Sequence, residues 1–227
     1  MVHVVQLGDK TFCLRQDKCA TFEAPFLYLL VGSERCLLID SGDLEEDPEL
    51  VAALQRLVPA ERPLLIVNTH PHSDHVRGNA YVMRAFKGAN VVASSASTVT
   101  LGGGRSVELI PAGRGHSDND VCLLDSATRL LFTGDVLYPG YIYIRRFDSF
   151  RDGILSLWAR VRGRFDFSLG AHVEMNTSGA LYEPGARHQP DEMPVQQPPQ
   201  ALELLADEVC RTRFVNKHFA LTPKANL

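Results

Sequence analysis

The stretch Thr69-His70-Pro71-His72-Ser73-Asp74-His75 decides how this chain folds. It places three imidazoles and a carboxylate within six positions. Because His70 and His72 are two residues apart, an extended or turn backbone can direct both rings to one point, while Asp74 and His75 face a second point nearby. Zn²⁺ binds His nitrogen at about 2.0–2.1 Å and carboxylate oxygen at about 2.0–2.2 Å. The alternative is a polar loop with incidental histidines, but the spacing favours a metal site.

The composition is that of an ordinary globular protein. A chain of 227 residues, 45% hydrophobic and 22% charged, is long enough to bury a large core. We find no internal repeat and no convincing linker, and therefore predict a single domain over residues 1–227. The net charge of -4 gives no general attraction to nucleic acid or anionic lipid. We expect a small-molecule substrate and neither nucleic acid nor membrane as partner, and a homodimer stays open.

The N-terminal residues and the cysteines indicate a cytoplasmic protein. Residues 1–9 lack a basic region followed by a long apolar core, so we predict no signal peptide. The five cysteines are scattered and include no CxxC pair, which favours reduced thiols over a disulfide framework. No apolar stretch approaches the roughly 20 residues that cross a bilayer. We expect the cysteines to be small hydrophobic residues of the core.

Short apolar runs separated by turn residues predict the strands. The predicted strands are 26–31, 36–40, 64–69, 90–94, 106–110, 121–124, 129–133 and 165–170. The first two form a predicted hairpin, and 121–124 forms another with 129–133. Three glycines at 102–104 predict a flexible connection.

Apolar residues at helical spacing predict four helices. Asp47 and Pro48 mark the start of the first. The second follows the histidine run, where Val76, Ala80 and Met83 recur at helical spacing. The third spans about 149–161, and the last is a C-terminal helix that begins near residue 201. The proline-rich segment 184–199 is predicted to be an extended strap to that last helix rather than a lid.

Three later segments each place a ligand-type residue after a strand-like run. They are Gly-Arg-Gly-His116, Phe-Thr-Gly-Asp135 and Ser-Leu-Gly-Ala-His172. Glycine beside each one lets the backbone turn sharply. Each signal is weak alone, because a lone His or Asp after a strand is more often a capping or hydrogen-bonded residue. Together with the histidine run they supply enough ligands for two metals.

This pattern resembles the metallo-β-lactamase superfamily, and within it the glyoxalase II, lactonase and thioesterase-like branch. The match to the HxHxDH signature at residues 70–75 is complete, and the three later residues occur in the family's order. The resemblance implies an α/β fold, classed as α+β in some schemes. Its architecture would be a four-layer αββα sandwich with the metals at one edge.

The resemblance also implies how the ligands are shared. The first metal would be bound by His70, His72 and His116. The second would be bound by Asp74, His75 and His172, and Asp135 would bridge the two. His188 is the substitute for His172. Two Zn²⁺ are expected, with Fe or Mn as alternatives.

The expected chemistry is hydrolysis. Two metals about 3.5–4 Å apart can share a water and lower its pKa toward neutrality. We predict a dinuclear-zinc hydrolase in which this hydroxide attacks an ester, thioester or lactone carbonyl. Asp74 would also orient the hydroxide, and Tyr138 is a candidate donor to the oxyanion, with aromatic packing as the alternative. Arg145 and Arg146 are either contacts for an anionic substrate tail or a solvated face.

Two other activities stay open. One is an oxidoreductase like the persulfide dioxygenases, which use one iron held by two His and one Asp; imidazole and carboxylate also suit Fe(II). The other is β-lactamase activity, disfavoured because the best-known β-lactamases lack the bridging aspartate. A nuclease is disfavoured because no basic arm is visible.

Overall fold

The computed structural model describes residues 1–16, 24–95, 97–138, 142–172 and 194–211, together with the backbone of a last strand at Phe219–Leu221. His188 and most of the proline-rich segment 184–199 lie outside the described residues. None of the described helices combines the length and apolarity that crossing a bilayer requires.

Six strands form the first sheet, in the order in which they occur along the chain. They are β1 (Val2–Gly8), β2 (Thr11–Gln16), β3 (Phe26–Val31), β4 (Cys36–Ile39), β5 (Leu64–Val67) and β6 (Asn90–Val91). The pairs from β1 to β4 are antiparallel, which confirms the predicted β3–β4 hairpin. The pairs β4–β5 and β5–β6 are parallel, so these strands end at the same edge of the sheet.

The remaining strands form a second sheet and a small two-stranded sheet. They are β7 (Thr98–Gly102), β8 (Arg105–Gly113), β9 (Asp120–Asp125), β10 (Leu130–Gly134), β11 (Ile142–Ile144), β12 (Phe167–Gly170) and β13 (Phe219–Leu221). The second sheet has the order β12-β10-β9-β8-β7, and β11 pairs with β13. The predicted β9–β10 hairpin is confirmed.

Five helices complete the described elements. They are α1 (Pro48–Leu57), α2 (Ser73–Val76), α3 (Asn79–Ala85), α4 (Phe147–Val161) and α5 (Pro199–Arg211). Asp47 caps α1 as predicted, because its carboxylate accepts hydrogen bonds from the Glu49 and Leu50 amides at 3.0 Å.

The elements stack in four layers, and three hydrophobic clusters lie between them. The cluster between the two sheets contains Tyr28 and Val67 from the first sheet and Leu109 and Phe132 from the second. A second cluster lies between α1 and the outer face of the first sheet. A third joins α4 and α5 to the outer face of the second sheet. The architecture is the predicted αββα sandwich.

Strand β3 shows why a continuous apolar run forms an element here. Tyr28 and Leu30 point into the core between the sheets, whereas Leu27 and Leu29 point toward α1. Because successive side chains point to opposite faces, a strand covered on both sides has no polar position. Each fully buried leucine contributes about 1.5–3 kcal/mol.

The single helix predicted after the histidine run is wrong. It is two short helices, α2 and α3, separated at Gly78, where a Cβ would clash with the Ser41 carbonyl. The apolar residues that indicated this helix, Val76, Ala80 and Met83, are also not buried. The inward residue is Val82, which is 1% exposed, whereas Met83 is 36% exposed.

The glycines at 102–104 form a tight turn rather than a flexible connection. They join β7 to β8, and their φ angles of +88°, +61° and +81° lie in the left-handed region that glycine tolerates best. The strand predicted at 90–94 is shorter, Asn90–Val91. Five of the described strands were not predicted from the sequence: β1, β2, β7, β11 and β13.

The prediction that the cysteines are small hydrophobic residues of the core is confirmed for three of the described cysteines. Cys13, Cys36 and Cys122 are buried and free, whereas Cys210 is free but exposed on α5. Cys19 lies outside the described residues.

A buried ion pair ties the two sheets together at the end remote from the histidine run. The Arg105 guanidinium donates to Asp125 at 3.1 and 2.7 Å. It also donates to the carbonyls of Lys10 and Val31 and to the hydroxyl of Thr11. One side chain of the second sheet therefore satisfies acceptors of the first.

We predict that Arg105→Leu lowers the free energy of unfolding by about 3–5 kcal/mol, because it leaves the Asp125 carboxylate buried without its partner. Urea unfolding followed by circular dichroism measures this loss. Arg129→Gln, which removes an exposed ion pair to Asp166, is the control and should cost at most about 1 kcal/mol. Equal unfolding midpoints for the two variants would contradict the role of the buried pair.

Candidate metal centre

The predicted ligands lie at the edge where strands of both sheets end. The histidine run follows β5 of the first sheet. His116 follows β8 of the second sheet, Asp135 directly follows β10, and His172 follows β12 by two residues. Since β10 and β12 are parallel, their ends bring Asp135 and His172 to the same place.

The first group of ligand atoms consists of His70, His72, His116 and Asp135. The Nδ1 atom of His72 is 2.9 Å from His70 Nε2 and 3.0 Å from His116 Nε2. The Asp135 carboxylate lies 3.3 Å from His116 Nε2. All four ligand atoms lie within 4.8 Å of one another.

The second group consists of Asp74, His75 and His172. The Asp74 carboxylate is 3.2 Å from His75 Nε2 and 3.6 Å from His172 Nε2. These ligand atoms also lie within 4.8 Å of one another. Both predicted sets are therefore assembled by the fold, and the binding of metal by them stays a prediction.

Asp135 faces both groups with different oxygens. Its Oδ2 lies 3.3 Å from His116 Nε2 and 3.8 Å from His70 Nε2. Its Oδ1 lies 3.4 Å from His75 Nε2 and 3.3 Å from His172 Nε2. This is the geometry of a carboxylate between two cation sites.

The spacing of these atoms fits divalent cations. Tetrahedral bonds of about 2.0–2.1 Å would separate ligand atoms by about 3.3 Å, close to the distances observed. Within the described residues, the buried Asp135 Oδ1 has no hydrogen-bond partner. Leaving such an atom unsatisfied costs about 1–3 kcal/mol, which a bound cation would remove.

The electrostatics favour the protonation states that bind metal. Burial, followed by the nearby His75, lowers the pKa of His70 well below its usual value. Burial and His116 lower the pKa of His72. Burial alone would raise the pKa of Asp135, but the surrounding histidines, His172 first, hold it well below its usual value. Neutral imidazoles and an ionised carboxylate are the ligand forms.

His75 is the exception. Burial would lower its pKa, but the carboxylates of Asp40 and Asp135 raise it well above the usual value. Without a cation the ring therefore holds a proton between two carboxylates. Metal binding releases protons from its ligands, so a cation would replace this one.

Asp40 is a site residue whose role was not predicted from the sequence. Its Oδ2 accepts hydrogen bonds from His75 Nδ1 and the Thr69 hydroxyl, both at 2.8 Å, and its Oδ1 accepts from the Thr69 amide at 2.8 Å. The Thr69 hydroxyl lies 3.1 Å from His70 Nδ1. One carboxylate thus orients a ligand of each group, directly for His75 and through Thr69 for His70.

His116 is oriented by a backbone acceptor. Its Nδ1 lies 2.8 Å from the Tyr143 carbonyl, which accepts its proton and leaves Nε2 to face the site. Asp120, which was also not predicted, accepts hydrogen bonds from the amides of His116 and its neighbours.

The remaining predicted residues differ in placement. Tyr138 is 1% exposed, and its ring meets that of His172 at 5.7 Å, edge to face. This placement favours packing over substrate contact, and the catalytic role of Tyr138 stays a prediction. Arg145 is exposed without an ion pair to the described residues, whereas Arg146 pairs with Asp118 at 2.5 Å.

We predict that Asp40→Asn lowers Zn²⁺ affinity about 10–100-fold, because the amide is uncharged and presents an NH2 donor in place of one of the two carboxylate oxygens that accept from Thr69 and His75. Asparagine tolerates the left-handed backbone of this residue, φ +61°, so the fold should persist. Competition with a chromophoric chelator measures the affinity. Asp47→Asn, at another buried carboxylate, is the control and should retain wild-type affinity. Unchanged affinity in Asp40→Asn would refute the orienting role.

Comparisons with known proteins agree with this site. The sequence model of the metallo-beta-lactamase superfamily matches residues 20–97. The acyl-coenzyme A thioesterase MBLAC2 of Gallus gallus is 27% identical over 180 residues, which cover 59% of this chain. The match covers 65% of that relative, less than two thirds of its length.

Solved structures share the fold over most of the chain. A metallo-beta-lactamase from Pontibacter korlensis superposes with a TM-score of 0.66 at 16% identity, covering 93% of this chain and 100% of its own. An archaeal superfamily protein from Sulfolobus tokodaii gives a TM-score of 0.60 at 14% identity, with coverages of 91% and 88%. The fold, the sequence signature and the grouping of the ligand residues are all similar to those of the metallo-β-lactamase superfamily.

Proposed function

We propose that this protein is a metal-dependent hydrolase that cleaves thioesters, with carboxyl esters and lactones as the neighbouring substrate classes. The observation that carries the proposal is the Asp135 carboxylate between two groups of ligand atoms. A pair of divalent cations, when bound, supplies an activated water and polarises the substrate carbonyl. Zn²⁺ is the cation we expect, held by the seven residues of the two groups.

Asp74 is the residue we assign to orienting the attacking water. Its side chain is 20% exposed, compared with 8% for Asp135, so it lies on the open side of the site. Burial would raise its pKa, but hydrogen bonds with His172 and His75 outweigh burial and lower it. An ionised carboxylate in this position can accept a hydrogen bond from water and also bind a cation.

Three of the five cysteines are unsuited to forming an acyl-enzyme. Burial raises the pKa of the thiols of Cys13, Cys36 and Cys122, which keeps them protonated. A thiol nucleophile has to ionise and reach the substrate. These three do neither, so water is the nucleophile we propose.

The thioester preference comes from the relative and from the rim of the site. MBLAC2 is named an acyl-coenzyme A thioesterase. Tyr143 and Arg145 are exposed, whereas the alternating Ile142 and Ile144 are buried. The Tyr143 carbonyl contacts His116, and the Arg145 amide donates to the carbonyl of the adjacent Gly115. The charge of Arg145 contributes, after burial and His116, to the lowered pKa of His72. A cation near the site favours a substrate with an anionic thiol half.

Dioxygenase and β-lactamase activities are less well supported. Asp74, His75 and His172 offer a second cation site, which a single iron would not need. The thioesterase relative favours carbonyl hydrolysis. A cytoplasmic location and a small-molecule substrate complete the proposal.

The test is hydrolysis of an acyl-CoA, a glutathione thioester, a lactone and a β-lactam by the Zn²⁺-loaded protein. We expect turnover of the acyl-CoA, loss of turnover on chelation, and recovery with Zn²⁺. His72→Ala and Asp74→Ala should reduce turnover to the level of the metal-free protein, because each removes a ligand. His3→Ala, remote from the site, should not. Full activity in either ligand variant, or iron content with oxygen uptake, would refute the proposal.

A further prediction concerns Arg145. Arg145→Gln should raise the KM for an acyl-CoA by up to about tenfold, which corresponds to about 1.4 kcal/mol of lost attraction. It should not change the KM for the uncharged N-acetylcysteamine thioester of the same acyl group. Arg56→Gln, at the exposed end of α1, is the matched control. Equal effects on both substrates would show that Arg145 does not recognise charge.

A further inference from the structure

The loop that carries His116 is held from two sides. Residues 113–118 leave β8 and return into β9, and His116 lies in their middle. A buried carboxylate, Asp120, binds the inner side of this loop. An exposed guanidinium, Arg146, binds its outer side.

Asp120 accepts hydrogen bonds from three successive residues of the loop. Its Oδ2 accepts from the Gly115 amide at 3.0 Å and the His116 amide at 2.9 Å. Its Oδ1 accepts from the Ser117 amide at 2.9 Å and the Ser117 hydroxyl at 2.5 Å. Charge-assisted bonds of this kind are stronger than neutral ones, so the backbone at His116 is tightly held.

Arg146 bridges the two ends of the same loop. Its guanidinium donates to the Arg114 carbonyl at 3.2 Å, to the Ser117 carbonyl at 3.4 Å and to the Asp118 carboxylate at 2.5 Å. Its backbone amide donates to the Gly115 carbonyl at 3.0 Å. A planar fork can reach several acceptors at once, which a lysine ammonium on a flexible stem cannot do in the same geometry.

The loop contributes to one ligand group only. His70 and His72 share their loop with Asp74 and His75, and Asp135 faces both groups. His116 is therefore the one ligand of the first group that lies on a loop carrying no ligand of the second group and that does not face the second group itself. Its position decides whether the first group closes around a cation, while the second group keeps all its ligands.

We propose that Asp120 and Arg146 form a clamp that positions His116 and sets the affinity of the first cation site independently of the second. Both are positioning residues, because they act through the loop and touch none of the ligand atoms. Asp120 fixes the backbone from within, and Arg146 keeps the loop ends together on the surface. The proposal concerns metal binding and does not depend on which substrate is cleaved.

The test is a titration of the metal-free full-length protein with Zn²⁺ against a chelator, and with Co²⁺ by visible absorption. The wild type should bind two equivalents. Arg146→Gln and Asp120→Asn should weaken one equivalent about 10–100-fold, the usual effect of removing groups that orient ligands, and leave the other unchanged. His116→Ala is the reference for loss of the first site.

Arg129→Gln is the matched control for Arg146→Gln. Arg129 is comparably exposed and also joins a carboxylate, Asp166, to a loop carbonyl, Gly163, but it lies at the opposite end of β10. Arg129→Gln should leave the affinity for both cation equivalents unchanged. Arg146→Lys should retain the positive charge and still weaken cation binding at the first site, because lysine lacks the planar guanidinium that reaches several acceptors.

Several results would overturn the clamp. Equal weakening of both equivalents would mean that the residues act only on general stability. Unchanged affinities in Arg146→Gln, with a wild-type melting temperature, would show that the loop needs no outer partner. If Asp120→Asn fails to fold, the Zn²⁺ affinities of Arg146→Gln alone decide whether the clamp exists. Binding of fewer than two equivalents by the wild type would overturn the two-cation assignment and the clamp together.

Discussion

Both ligand groups depend on one constraint: the two sheets must keep a fixed mutual position at the edge where their strands end. The Val121 amide donates to the Thr69 carbonyl at 2.8 Å, which joins the start of β9 to the histidine run. The Tyr28 hydroxyl donates to the Gly170 carbonyl at 2.6 Å, close to His172. Because ligand atoms must lie within a few tenths of an ångström of their places, these bonds between sheets belong to the site as much as to the fold.

Two residues at this edge have a left-handed backbone conformation. Gly134 has φ +52°, and a Cβ there would lie 2.7 Å from the Thr69 side chain, so only glycine lets β10 deliver Asp135 this close to Thr69. Asp40 has φ +61° although it is not glycine. Residues in such conformations persist where surrounding contacts over-determine them. The hydrogen bonds of Asp40 to Thr69 and His75 are contacts of that kind.

The sequence predicted the contiguous part of the site and most strands of the two sheets, because the histidine run and the apolar strands are local patterns. The four-layer architecture was implied only by the family resemblance. His116, Asp135 and His172 lie far apart along the chain, and only a family resemblance grouped them. Asp40 and Asp120 were not recognised, because an aspartate near serine, glycine or asparagine is typical of any turn. Their function depends on hydrogen-bond partners that the folded chain brings close. The break at Gly78 has the same cause, since it comes from contact with a distant loop.

The charge of the site links metal binding to substrate choice. Asp40, Asp74 and Asp135 place three negative charges in or beside the ligand groups, and without cations the protonated His75 offsets only part of them. Two divalent cations would displace that proton and carry four positive charges, leaving the loaded site with a net positive charge. Such a site attracts hydroxide and the negative charge that develops on a carbonyl oxygen during attack. Arg145, which is exposed and has no ion pair among the described residues, would extend the same positive field outward.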